Sequence, residues 1–131
     1  MPDRAPEGKE IVHEHLDKAL EEAWSKTNLA LSETSEHSTG FEKKIWAAAE
    51  AVEYSSLLFS MAYNLEDMDP PVDKRKGTDP IALVKDSVDS LKRAREMRSR
   101  SSEEAYTHLR TAAHYLKTAY LDHVKKTTRS R

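Results

Sequence analysis

The chain of 131 residues contains no cysteine. That excludes a disulfide scaffold, a thiolate zinc site and a cysteine nucleophile. Glycine occurs three times and proline five times. The prolines stand only near the N-terminus or around one central connection. Long stretches free of both residues argue against a hairpin-rich β fold. Charge of one sign is also missing. A net charge of −2 gives no global field that would draw in nucleic acid or an anionic membrane. No run of ~18 apolar residues occurs, as a membrane-spanning helix would need. The longest apolar stretch, residues 41–65, is interrupted by Glu42, Lys43, Lys44, Glu50 and Glu53. The opening MPDRAPEGKE lacks the apolar segment of a signal peptide. These absences set the expectation of a cytoplasmic protein that does not enter membranes.

What is present is helix-forming. Ala, Leu, Glu, Lys and Arg are abundant, and 34% of residues are charged; the five rank high in helix propensity. One domain is expected for this length. Residues 1–8 read as a disordered lead-in because they hold two prolines, a glycine and mixed charges. Residues 9–126 read as a single helical bundle domain, and residues 127–131 as a basic C-terminal tail.

Four helices follow from apolar spacing of three and four residues. The first runs from about residue 9 to 33, with Val12, Leu16, Ala19, Leu20, Ala23, Trp24, Thr27, Ala30 and Leu31 on its apolar stripe. The second runs from about 40 to 66. Thr39 followed by Glu42 has the spacing of a capping box at its start. Phe41, Ile45, Ala48, Ala49, Val52, Ser56, Phe59 and Ala62 share one face of it. A charged, proline-containing connection over residues 66–79 reads as a solvated crossover. Asp79 then caps a third helix with Pro80 in its first turn, and Ile81, Val84, Val88, Leu91 and Ala94 form its stripe. Ser101 and Glu104 form another capping box and start the fourth, with Ala105, Leu109, Ala112, Ala113, Leu116, Ala119, Tyr120 and Val124 aligned. The expected fold is an all-α antiparallel four-helix bundle. A shift of 64 residues lays Ile45, Ala48, Ala49, Val52 and Leu57 on Leu109, Ala112, Ala113, Leu116 and Leu121, which suggests two similar helical hairpins. The first and third helices align at a different shift, Val12 on Val84 and Leu16 on Val88.

Chemistry is sparse. Glu10–His13 has the E-x-x-H spacing of di-iron bundles, but it occurs once and lies at a helix end. Glu33–His37 and Glu104–His108 are ordinary i,i+4 surface pairs. Glu50 and Glu53 flank a core face. No serine sits in a G-x-S-x-G turn. No catalytic set, metal site or cofactor is expected. Arg98, Arg100, His108, Arg110 and His114 constitute an alternative: a helical nucleic-acid-binding domain, or a ribonuclease of the HEPN type, which pairs an arginine with a histidine a few residues on. Arg110 and His114 have three residues between them and Arg100 and His108 seven; neither interval fits that motif, so membership is not claimed.

The main expectation concerns the second helix. Beside its core face runs a second apolar stripe of Trp46, Tyr54, Leu57, Leu58, Met61 and Leu65. A helix covered on one side shows one such stripe. Large aromatic and Met side chains are enriched at interfaces. The reading is a protein-interaction or scaffold module that self-associates, as a homodimer or with another protein partner, through this stripe. The alternative is that the second helix is simply the most buried helix of its own bundle and both stripes lie inside it.

Overall fold

The computed structural model describes residues 4–32, 39–65 and 79–129, and the side chains of 11–32, 40–65 and 79–125. The described residues form four helices: α1 Arg4–Ser32, α2 Thr39–Ala62, α3 Pro80–Met97 and α4 Ser102–Arg129.

The ends follow from local chemistry. The Asp79 carboxylate accepts the Ile81 N–H at 3.2 Å, with Pro80 in the first turn of α3; proline is tolerated there because its missing N–H would have no helical partner anyway. The Ser101 hydroxyl accepts the Glu104 N–H at 3.3 Å and caps α4. Both starts match the sequence reading. Other boundaries shift. Helix α1 begins at Arg4, so it takes in most of the stretch read as a lead-in; Pro6 falls in the first turn, where a proline costs little. Helix α2 starts at Thr39 and stops at Ala62, short of the expected end near residue 66. Asn64 adopts φ 53°, and the Leu65 N–H reaches the Ser60 carbonyl at 2.9 Å. This is a Schellman-type stop with asparagine in the left-handed position. Helix α4 continues to Arg129, into the stretch from residue 127 read as a tail. The crossover over residues 66–78 and the Glu33–His37 pair lie outside the described residues.

Side-chain contacts fix the helix directions. Phe41 meets His123, Trp46 meets Tyr120, Glu53 meets Lys117 and Phe59 meets Tyr106, so α2 and α4 run antiparallel. Asp17 meets Arg98 and Trp24 meets Arg95, so α1 and α3 do too. The helices close a ring, α1 beside α2, α2 beside α4, α4 beside α3, and α3 beside α1. Helices α2 and α3 point the same way, and α2 therefore ends at the opposite end of the bundle from where α3 begins. One long crossover of this kind is a known bundle topology.

The core is built from Leu16, Phe41, Ile45, Val52, Phe59, Leu83, Val84, Leu109 and Leu116, all at most 1% exposed, with small residues between them. Each such large side chain contributes about 1.5–3 kcal/mol on burial. Ala48, Ala49, Ala112 and Ala113 are also buried; with so little side chain at these points, α2 and α4 can pack closely. On α3 the buried face is rotated from the expected stripe. Ser87 and Ser90 are buried while Ile81 and Val88 are only half-buried. Ser87 is accepted in the core because its hydroxyl donates to the Val84 carbonyl at 2.6 Å, which removes the penalty of an unpaired buried group.

The hairpins repeat in one register throughout. Leu16, Ala19, Ala23, Thr27 and Ala30 of α1 are buried, and so are Pro80, Leu83, Ser87, Leu91 and Ala94 of α3, each 64 positions later. The same shift superposes the buried positions Ile45, Ala48, Ala49, Val52 and Phe59 of α2 on Leu109, Ala112, Ala113, Leu116 and His123 of α4. The alignment of Val12 with Val84 is thus corrected: Val12 is half-buried where Val84 is fully buried, because the buried serines carry the true register. Contacts repeat as well. Glu42 against His123 corresponds to Tyr106 against Phe59. Glu53 and Lys117 occupy equivalent positions and pair with each other, as residues beside a pseudo-two-fold axis must.

Candidate surface on the outer face of α2

At ~100° per residue, Trp46, Leu57, Glu50, Met61 and Tyr54 fall within an arc of about 80° on α2. Trp46 is 48% exposed, Tyr54 55%, Leu57 57% and Met61 60%. The expected stripe is therefore divided. Leu58 and Leu65 pack against the core and belong to the bundle, while the other four face outward. The difference arises because Leu58 lies about 100° further round the helix than Leu57, and because the chain reversal at Asn64 turns Leu65 back onto the bundle.

Two grooves flank the stripe. Toward α4, a cavity of ≈ 570 Å³ is lined by residues including Glu50, Glu53, Tyr54, Leu57, Tyr106 and Arg110. Nearer the start of α2, a cavity of ≈ 360 Å³ is lined by Glu42, Lys43, Trp46 and Tyr120. The two are related by the pseudo-two-fold: Glu42, Lys43 and Trp46 correspond to Tyr106, Thr107 and Arg110. The Lys117–Glu53 ion pair separates them. Both of its side chains are over 40% exposed, so its contribution is at most about 1 kcal/mol. Arg110 is different. Its Nε is buried and has no hydrogen-bond partner among the described residues. Such an atom loses its water without gaining a replacement, which costs about 1–3 kcal/mol.

The five residues of the nuclease alternative do not converge. Arg98 is occupied within the fold: Nη1 donates to the Asp17 carboxylate at 2.5 Å, Nε donates to the Tyr63 hydroxyl at 2.9 Å, and Nη2 lies 3.5 Å from Nδ1 of His13. Burial works against its charge, but these partners outweigh it and its pKa is raised. The cluster ties α1 to the C-terminal ends of α2 and α3. Sequence spacing carries no sign of it, since the partners of Arg98 lie 35 to 85 residues from it. Arg100 stands exposed in the α3–α4 joint. His108 points about 160° away from Arg110 around α4; burial and the nearby Arg93 hold its pKa below the ordinary value, against the pull of Glu104. His114 packs on Tyr115 at 6.4 Å. Only Arg110 and His114 share a face.

Among the described residues no three His, Asp or Glu side chains lie close enough to hold an ion. His13, half of the E-x-x-H pair, packs edge-on against Tyr63 at 5.1 Å. Among the described residues no helix is long and apolar enough to cross a membrane. Comparison with protein-family models, curated proteins and solved structures finds no match. The fold and surface define a four-helix bundle with one outward apolar helix face.

Proposed function

We propose that this chain is a cytoplasmic interaction module that self-associates through the outer face of α2. One observation carries the reading: four large apolar side chains, Trp46, Tyr54, Leu57 and Met61, lie on one narrow arc and are each about half exposed or more. Single exposed apolar residues are normal, but a contiguous patch marks an interaction site. Among the described residues the buried core uses the opposite face of the same helix. The expected partner is a second copy, and a different protein is the competing occupant.

The test is the double substitution Leu57→Asp with Met61→Lys. Both side chains are exposed, so the variant should keep its helical circular dichroism and its melting behaviour as a monomer. Its mass in solution should fall to that of one chain. A variant that retains the mass of the unaltered protein would refute the assignment of this face.

A further inference from the structure

Arg110 and Glu50 line the same groove, yet among the described residues no ion pair links them. The reason is their level along the bundle. Arg110 lies on α4 between Tyr106, which meets Phe59, and Lys117, which pairs with Glu53, so it stands near the level of residue 56, about six residues and hence ~9 Å along the axis from Glu50. Glu50 is exposed and Glu53 is taken by Lys117. The groove therefore holds a guanidinium whose Nε is desolvated and unpartnered among the described residues, and an exposed carboxylate that does not pair with it.

A second copy supplies what is missing. An isologous contact places residue i against j and j against i. Set two α2 helices antiparallel about a two-fold at the level of residue 53, the level where Glu53 and Lys117 pair. Glu50 of each copy then stands level with residue 56, which is the level of Arg110 on the other. In the same register Trp46 falls level with residue 60, next to the partner's own Met61, a favourable sulfur–aromatic pairing. We propose that the α2 faces associate in this register, and that Glu50 of each protomer completes the groove of the other by pairing with Arg110. This rests on the reading of the α2 face as a self-association surface. The exposed apolar side chains amount to roughly 500 Å² per protomer, the larger part of the ~800 Å² per partner that a stable dimer covers. An unrelated partner would need to bring both a matching apolar stripe and two correctly spaced carboxylates, whereas this chain already carries both.

The test is charge reversal followed by mixing. Glu50→Arg and Arg110→Glu are made separately in the full chain, and mass is measured against concentration by sedimentation equilibrium. Each alone places like charges together twice in a dimer, and should weaken association about tenfold or more. An equimolar mixture should restore it. In the mixed dimer the Glu50→Arg site of one chain faces the Arg110→Glu site of the other, and the unaltered Glu50 and Arg110 face each other at the second contact. Recovery on mixing separates pairing between chains from any effect within one chain. Single variants that remain as tightly dimeric as the unaltered protein, or a mixture that stays dissociated, would overturn the proposed pair while leaving the α2 face assignment standing. An unaltered protein that is monomeric at every concentration would overturn both. Should Arg110→Glu lose its helical signal, Arg110→Gln takes its place: it should weaken the dimer of the unaltered chain but not that of Glu50→Gln. Additive effects of the two substitutions would reject the pair.

Discussion

The outer face of α2 and the outer face of α4 are the same place in two hairpins, and their chemistry differs. Trp46, Glu50, Tyr54, Leu57 and Met61 of α2 correspond to Arg110, His114, Thr118, Leu121 and Lys125 of α4. The middle of the inner faces is alike: Ala48 and Ala49 correspond to Ala112 and Ala113, and Ile45 and Val52 to Leu109 and Leu116, while toward the ends Phe41 and Phe59 stand where α4 has Ala105 and His123. Packing thus dictates the inner positions and leaves the outer ones unconstrained. A bundle of this shape works with arginine, histidine, threonine and lysine on that surface, as α4 demonstrates. The large apolar side chains on α2 are then not a requirement of folding, and the proposal that they bind a copy of the chain accounts for them.

The equivalence of the two halves can be attacked first in the core. Ile45→Ala and Leu109→Ala remove equivalent side chains that are both 0% exposed. Each should cost about 2–5 kcal/mol in chemical denaturation, and by similar amounts. A large inequality would show that the two halves do not carry the core equally. Next is the tie between the hairpins. Arg98→Ala should destabilise the chain by about 1 kcal/mol, a figure reduced for the exposure of Asp17, with no change in association. On the outer faces the asymmetry should be sharp. Leu121→Asp on α4 should leave the mass in solution unchanged and shift stability by no more than about 0.5 kcal/mol, whereas Leu57→Asp at the equivalent position should dissociate the dimer. Equal loss from both would extend the interface across α4.

The smallest effect is a pH dependence. The folded chain holds the His108 pKa below its ordinary value of 6.5 through burial and Arg93. The unfolded chain therefore takes up a proton first as pH falls, and stability drops on going below about pH 6.5. His108→Gln should flatten that acid-side decline. An unchanged slope would mean that His108 titrates alike in both states.

Much of the fold was legible because it rests on local rules. Asp79 with Pro80 and Ser101 with Glu104 announced two helix starts, and apolar spacing identified the core face of α2. The buried face of α3 was misjudged because Ser87 and Ser90 look polar in sequence, yet they are the small residues that close packing demands. The same two serines concealed the single 64-residue register. The stop at Asn64 was missed because an asparagine in the left-handed region carries a weaker signal than glycine. For the site, the second stripe of α2 was visible, but its division was not. Whether Leu58 is covered and Leu57 exposed depends on where α1 and α4 lie, which no spacing rule supplies. The Arg98 cluster and the unpartnered Arg110 depend on residues brought together from different helices and were beyond reach for the same reason.

The central claim is that the α2 face is covered by a second copy. Light scattering behind a sizing column, at several loading concentrations, tests it most directly against a chain mass of 14.9 kDa. The predicted result is a mass approaching twice that, about 30 kDa, rising with concentration. A mass of one chain at every concentration would contradict it.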